Sequence, residues 1–465
     1  MSYNEPSTMQ FSIPDEVLDV VGKFNKAAYE IYIVGGAVRE LSMGKISNDW
    51  DFTTNATPDE ILKVEPEGFY DNKFGTVGLE SKTGFGIFDI TTYRTEVGYT
   101  DKRHPDKVVW GKTLEEDLKR RDFTINALAI RLSRQGGIAQ GKPKLKLIDP
   151  FNGQEDLKNK IIRAVGNPAE RFSEDALRMM RAVRIASQLG FIIEDSTFEA
   201  IKMNAALINQ IAKERVREEL FKILSSPFAY EGVVMFKNSG LMKEVLPEME
   251  STFGVEQKSP GRHHIYDVGI HSLLSLKYCK SADPIVRLAT LIHDIGKPVT
   301  FKKLENGTIT FYNHEIVGAA IARRIADRLK FSNQQKIKLV TLVRRHQFTV
   351  DERQTDSAVR RFIRNVGQQN LKDILDLRVA DRLGGGASET SWRLEEFKKR
   401  LIEVQKQPFA VADLKINGND IMKILRLRPG PKVGEILNKL FKEVVEKKIE
   451  NERTKLLQRL KEISN

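Results

Sequence analysis

The chain has 465 residues, of which 40% are hydrophobic and 30% charged, with a single cysteine and a formal net charge of +12. These values exclude a disordered or fibrous chain, and one cysteine excludes an internal disulfide framework. The length predicts roughly three domains, and the basic balance suits a polyanionic partner as well as a merely solvated Lys-rich surface.

The first predicted element is a strand over Ile31–Val34, β-branched and apolar, stopped by Gly35 and Gly36. Two glycines permit a sharp turn and close approach of a ligand to the backbone. A helix over Ala37–Met43 follows, its N-terminus facing the turn, with Arg39 in the first turn where a guanidinium grips phosphate oxygens bidentately. Asp49 and Asp51 come next, two residues apart, so on a strand both carboxylates point to one face. Such a pair holds Mg²⁺ ions about 3.5–4 Å apart, activating an attacking hydroxyl and steadying a leaving group. Either word alone is common. In order and at short range, they point to transfer of a nucleotide.

Further strands are predicted at Trp50–Thr54, Thr76–Glu80, Ile87–Tyr93, Leu128–Arg131 and Lys146–Ile148. Asp89 lies on one of them and is placed to supply a third carboxylate. The word Lys119-Arg-Arg121-Asp122-Phe-Thr-Ile-Asn126-Ala sets arginines and an aspartate before an apolar segment. From Asp156 onward helical periodicity dominates, with helices expected over Ser173–Leu189, Ser196–Ile208 and Glu214–Leu224. In the first of these, Asp175, Arg178, Arg181 and Arg184 recur every three residues beside an apolar stripe of Leu177, Met180 and Val183. The stripe reads either as a salt-bridge ladder or as a base-reading surface. In the second reading a carboxylate that accepts and a guanidinium that donates match the donor–acceptor edges of cytosine and adenine. Uracil and guanine present the reverse order, and each unpaired polar group costs about 1–3 kcal/mol.

The words GGAVRE, SNDWDFTTNA, FDITTYRTE, RRDFTINALAI, IDPFNGQEDL and RFSEDALRMMRAVRIASQLGF together resemble the ordered motifs of class II tRNA nucleotidyltransferases, the CCA-adding enzymes, and of bacterial poly(A) polymerases. The resemblance spans residues 28–225. It implies metal carboxylates at Asp49 and Asp51, triphosphate contacts from Gly35, Gly36, Arg39 and Arg121, and a protein template for the base at Asp175 and Arg178, with Arg181 and Arg184 nearby. Glu40 departs from the aspartate more usual in the family. The segment from Arg94 to Pro105 resembles the family's flexible loop, which A-adding members use to reshape the base pocket.

Six of the seven histidines lie between residues 263 and 346: His263, His264, His271, His293, His314 and His346. A helix is expected to carry His293 and Asp294 side by side. The order His271, His293-Asp294, Asp381 resembles the HD superfamily of metal-dependent phosphohydrolases, with His314 and His346 as extra ligands. Imidazoles with carboxylates suit Mn, Fe, Ni or Zn better than Mg.

The fold expected is α+β: a nucleotidyltransferase head of mixed sheet and helices, then an all-helical neck, HD region and C-terminal tail. The corresponding boundaries are 1–150, 151–228, 229–390 and 391–465. A flexible loop is expected from Gly384 and a plain surface helix from Lys432 to Asn465. The function implied is Mg²⁺-dependent, template-independent addition of the 3′ CCA of tRNA from CTP and ATP. Alternatives are an A-adding enzyme, a poly(A) polymerase, or an HD phosphohydrolase with an inactive head. The N-terminus carries no secretory signal and no run reaches membrane-spanning length, so a cytoplasmic protein without a membrane partner is expected.

Overall fold

Every side chain of β1 (Ile31–Val34) is apolar and every one is buried, the pattern of a strand covered on both faces. The computed structural model describes residues 13–70, 75–97, 107–133, 144–257, 266–351, 353–405, 411–446 and 448–464. Around β1 the head comprises α1 (Asp15–Lys26), α2 (Gly36–Ser42), β2 (Asp51–Thr54), α3 (Pro58–Val64), β3 (Phe69–Tyr70), β4 (Thr76–Glu80) and β5 (Ile87–Thr92). It continues with β6 (Arg94–Val97), β7 (Lys107–Trp110), α4 (Leu114–Lys119), β8 (Ala129–Ser133) and β9 (Lys144–Ile148). Seven strands form one mixed sheet in the order β3-β4-β5-β2-β1-β8-β9. Only β2 and β5 run parallel within it.

Tyr32 and Val34 face a cluster with Tyr93, Leu118, Ala127, Ala129 and Val165. Ile31 and Ile33 therefore face the opposite side. Helix α1 packs on β1 and buries Val17, Val20, Val21 and Phe24, an i, i+3, i+4, i+7 stripe. Each such side chain contributes about 1.5–3 kcal/mol when fully buried. This core holds rigid the strand ends that carry the candidate site.

The helical continuation comprises α5 (Gly153–Asn159), β10 (Ile161–Ile162), α6 (Pro168–Glu174), α7 (Leu177–Leu189), β11 (Ile192–Ile193), α8 (Asp195–Asn204), α9 (Lys213–Leu224), α10 (Ala229–Asn238), α11 (Leu241–Val245) and α12 (Pro247–Glu250). It is not purely helical, because β10 and β11 pair in parallel. The single helix expected from Ser173 is also interrupted. Asp175 adopts φ −134° and ψ 104°, and its Oδ1 accepts a 2.9 Å hydrogen bond from the Leu177 amide. Aspartate favours this local bond over continuing a helix.

The chain divides into two compact units, one of residues 1–251 with 282–284 and 325–331, the other of residues 252–281, 285–324 and 332–465. The remaining elements are α13 (Val268–Lys277), α14 (Pro284–Ile292), α15 (Lys297–Thr300), β12 (Lys302–Lys303), β13 (Ile309–Thr310), α16 (His314–Arg328), α17 (Asn333–Arg345) and α18 (Asp356–Val366). After them come α19 (Leu371–Gly384), α20 (Trp392–Gln405), α21 (Gly418–Leu425), α22 (Pro431–Val445) and α23 (Arg453–Ser464). The predicted glycine-rich loop joins α19 to α20. The tail departs from one surface helix: Leu440, Val444, Leu456 and Leu460 close with Ile421 and Val433 on a small core of their own. Asn451 ties the turn between α22 and α23 back to Asp413 and Lys415. Among the described residues, no helix is long and apolar enough to cross a membrane.

Candidate nucleotide and metal sites

In the head, β1 ends at Gly35, whose φ of +71° is a conformation L side chains rarely adopt. A Cβ there would stand 3.1 Å from Asp51 Oδ2 and 3.3 Å from Arg121 Nη1. The glycine turn is thus flanked by a carboxylate and a guanidinium. Strand register explains the carboxylates. Val34 pairs with Asp51 and Asp51 pairs with Asp89, so Asp51 and Asp89 share a face. Asp49 corrects the expectation of two aspartates on one strand, because β2 begins only at Asp51. Asp49 sits in the preceding turn, where its amide and carbonyl both bond Ser47 Oγ. Burial pushes the Asp51 carboxyl up to about 6, and the charges of Asp49 and Asp89 add to that rise against Arg121. Such crowding of negative charge favours a bound cation.

Arg39 Nη1 donates to Asn126 Oδ1 at 2.5 Å. Arg121 Nη2 lies 3.3 Å from Asp117 Oδ2, and Asp117 also holds Arg120. Both Arg39 and Arg121 keep a buried Nε–H without a partner among the described residues. Unsatisfied guanidinium donors beside a glycine turn suit an anionic ligand.

The Asp175–Arg184 series does not lie on one helix. Asp175 belongs to the break before α7, its Oδ2 3.4 Å from Arg215 Nη2. Arg178 is held by Glu174 Oε2 at 2.6 Å and donates to the Arg120 carbonyl at 3.1 Å. Arg181 Nη2 is 2.6 Å from Asp122 Oδ2, and Arg184 Nε is 2.7 Å from Glu219 Oε2. Arg181 and Arg184 therefore pair with buried carboxylates, and all four side chains of the series, Asp175, Arg178, Arg181 and Arg184, are themselves partly buried. The sequence pattern marked Asp122 and Asn126 without giving them a role, and it did not mark Glu174 or Asp117. The i, i+4 spacings of Glu174 to Arg178 and Asp117 to Arg121 were the available signal. Asp122 and Asn126 form a relay: Asn126 Nδ2 donates to Asp122 Oδ1 at 2.9 Å, so Arg39, Asn126, Asp122 and Arg181 are linked in series. The loop after Arg94 is flanked by β6 and β7, an antiparallel pair; its residues 98–106 lie outside the described residues, as do His263 and His264.

In the second unit, His293 and Asp294 are not on a helix as expected but in the turn after α14. His271 comes from α13, Asp381 from α19, His314 begins α16 and His346 follows α17. The six candidate ligands form two groups, His271 with His293 and Asp381, and Asp294 with His314 and His346, each with ligand atoms within 4.8 Å of one another. Among the described residues the head aspartates do not form so tight a group. The turn depends on Gly296, where a Cβ would meet the His314 carbonyl oxygen at 2.1 Å. Burial lowers the His293 pKa, but Asp294 and Asp381 outweigh it and push it up to about 10. A cavity of about 460 Å³ opens here, lined by His271, Asp294, Lys297, His314, His346 and Arg378 among others.

The head sheet, its glycine turn and the following helices define a nucleotidyltransferase. Residues 31–163 match the family described as "Poly A polymerase head domain", residues 190–253 that described as "Probable RNA and SrmB- binding site of polymerase A", and residues 308–460 that described as "tRNA nucleotidyltransferase domain 2 putative". The CCA-adding enzyme of Ligilactobacillus salivarius is 35% identical over 458 residues, 97% of this chain and 98% of that one. The A-adding tRNA nucleotidyltransferase of Deinococcus radiodurans is 33% identical over 425 residues, covering 88% and 90%. The crystal structure of the Bacillus stearothermophilus CCA-adding enzyme in complex with CTP superposes with a TM-score of 0.68 at 27% identity, covering 97% of each chain. The chain belongs to the family of CCA-adding enzymes and is a tRNA nucleotidyltransferase.

Proposed function

We propose that the protein adds or repairs the 3′-terminal CCA of tRNA from CTP and ATP, releasing pyrophosphate. The full-length likeness to the CCA-adding enzyme of L. salivarius carries this reading, and the carboxylates flanking Gly35 supply its chemistry. Asp49 and Asp51, with Asp89 beside them, offer hard oxygen donors that fit Mg²⁺. When bound, that ion lowers the pKa of the attacking hydroxyl and stabilises charge on the transferring phosphate. The tRNA 3′ oxygen attacks the α-phosphorus while its proton leaves toward the Asp49–Asp51 carboxylates. The α–β phosphate bond breaks, and Arg39 and Arg121 hold the departing pyrophosphate. Gly35 and Gly36 leave room for that group to approach the backbone.

The test is a gel in which tRNAs ending before C, after C and after CC are incubated with CTP, ATP or both. Incorporation from CTP is expected. ATP incorporation restricted to the CC end would instead support an A-adding enzyme, and long ladders from ATP alone a poly(A) polymerase.

Asp175 and Arg178 are proposed as the base template. With Glu174 holding the Arg178 guanidinium and the Leu177 amide holding Asp175, both groups are positioned before a base arrives, which reduces the ordering cost of binding. Asp175→Ala is expected to narrow the preference for CTP over UTP by at least about tenfold, since one unpaired polar group is worth about 1–3 kcal/mol. Single-nucleotide incorporation kinetics would measure it, and unchanged selectivity would remove Asp175 from the template.

The His/Asp cluster of the second unit supports a second reading, a phosphohydrolase acting on phosphorylated tRNA ends, which would prepare a 3′ hydroxyl for addition. Its donors suit Mn, Ni, Fe or Zn. Purified protein with Mn²⁺ or Ni²⁺ is expected to release phosphate from 3′-phosphate or open 2′,3′-cyclic ends, and His293→Ala to lose that activity while keeping CTP incorporation.

A further inference from the structure

We infer that Asp117 is a positioning residue shared by the two halves of the nucleotide site, an inference that rests on the proposed roles of Arg121 and Arg178. It lies in the last turn of α4 and is fully buried. A carboxylate is costly to bury, so it is kept only with partners. Here the partners are two adjacent arginines, three and four residues on. Asp117 Oδ1 accepts from Arg120 Nε at 3.0 Å and from Arg120 Nη2 at 2.6 Å, while Oδ2 accepts from Arg121 Nη2 at 3.3 Å. Burial alone would push this carboxyl up, but the two guanidiniums outweigh it and hold it below its ordinary range.

On the phosphate side, the hold on Arg121 decides between two carboxylates. A Cβ at Gly35 would stand 3.3 Å from Arg121 Nη1 and 3.1 Å from Asp51 Oδ2, so Arg121 and Asp51 face the same turn. A guanidinium beside a carboxylate pairs with it unless something else holds it. Such a pair would occupy both the anion grip and a carboxylate proposed for the cation. Asp117 claims Nη2 from α4 instead. That leaves Nη1, whose bond to the Asn126 carbonyl is long at 3.5 Å, and a buried Nε–H with no partner among the described residues. Both suit a phosphate oxygen.

On the base side, the link runs through the main chain. Arg120, clamped by Asp117, caps α4, and its carbonyl oxygen accepts from Arg178 Nη2 at 3.1 Å. The preceding carbonyl, of Lys119, accepts from Arg171 Nη1 at 3.4 Å. Arg171 and Arg178 also share the Glu174 carboxylate. Any shift of the last turn of α4 moves both acceptors together. Asp117 thereby sets where Arg178 stands when it meets a base, and ties that position to the grip on phosphate. Groups set in advance spare the ordering cost of binding, so loss of the anchor weakens affinity and discrimination together.

The test compares the full chain with Asp117→Asn, reading the CTP dissociation constant and the preference for CTP over UTP in single-nucleotide incorporation. CTP binding is expected to weaken at least about tenfold, the scale of one charge-assisted hydrogen bond. KM should change more than kcat, and the CTP preference should narrow by more than about twofold, the margin of ordinary additivity. In an Arg121→Ala background, Asp117→Asn should weaken CTP binding by no more than that margin. Arg120→Ala, which cuts the base-side link and spares the Asp117–Arg121 pair, should narrow the preference on its own. Melting curves fix a temperature at which each variant is folded, and the Arg120→Ala preference decides the base side should Asp117→Asn not fold. Equal weakening with and without Arg121 would make Asp117 a purely structural group and overturn the proposal. An unchanged preference in Asp117→Asn or in Arg120→Ala would overturn the shared role. Unchanged CTP binding in Arg121→Ala alone would overturn the phosphate reading of Arg121, and the proposal with it.

Discussion

Asp51→Asn is expected to lower nucleotide incorporation by at least about 10³-fold while leaving the protein as stable as before or more so. The loss follows from the proposed role of Asp51 as a ligand of the catalytic cation, whose charge stabilisation is worth several kcal/mol, with each 1.36 kcal/mol a factor of ten. The stability follows from the opposite sign of the same charge in the absence of an ion. The Asp51 pKa is raised by burial and by Asp49 and Asp89; a carboxylate whose folded-state pKa is raised loses stability as it ionises between its ordinary range and about 6. Asparagine has nearly the same shape and no charge, so at neutral pH without divalent ions the variant should be as stable as the parent or more so, by on the order of 1–2 kcal/mol, and should melt no earlier. Added Mg²⁺ should stabilise the parent more than the variant, through linkage to binding. Calorimetry with and without Mg²⁺, beside single-turnover incorporation, checks both halves. A variant that loses activity only by melting early would remove Asp51 from the metal site.

Asp122→Ala is expected to have the largest effect on stability. Its carboxylate is buried and accepts from Arg181, from Asn126 and from the Phe123 amide. Burial alone would raise its pKa, but Arg181 and these hydrogen bonds outweigh it and hold it well below the usual carboxylate range. Removing it leaves the Arg181 guanidinium without its counter-charge; breaking a fully buried pair costs about 3–5 kcal/mol, and because the Arg181 side chain is 37% exposed, solvent screening lowers the expected cost to about 2–3 kcal/mol. For a unit of this size each kcal/mol shifts the melting temperature by about 2–4 °C, so a fall of roughly 5–10 °C is expected in a thermal melt. Asn126 would also lose the bond that orients it toward Arg39. At a temperature where the variant is still folded, the KM for nucleotide should therefore rise. A melting point within 2–3 °C of the parent, by the same scaling, would show that the relay carries little energy.

Much of this was legible in the residues. The strand, glycine turn and helix from Ile31 to Ser42 were readable because local preference and tertiary context agree there: β-branched residues are buried on both faces and a glycine sits where φ is positive. The break at Asp175 was not, because the periodic arginines and apolar residues of 173–189 suit a helix throughout, and only the side-chain bond to the Leu177 amide overrides them. The same limit hid the fates of Arg181 and Arg184. A three-residue spacing says that side chains are neighbours on a surface, but not that Asp122 and Glu219, distant in sequence, will claim two of them. The histidines were countable from sequence, yet their division into two groups rests on the fold, which sets His314 and His346 against Asp294 Oδ1 and His271 and His293 against Oδ2.

Gly296 extends this to comparison among relatives. It donates nothing to the cluster, yet a single added carbon would collide with the backbone at His314 and with the Gly318 amide nitrogen, 2.7 Å away. Backbone cannot step aside as a flexible side chain can. A relative that keeps all six His and Asp residues but carries any side chain at this position has to move α16 away from Asp294, and its cluster is expected to be opened up. The absence of a methyl group at this position is thus a stricter requirement for the geometry of the cluster than the presence of its six side chains.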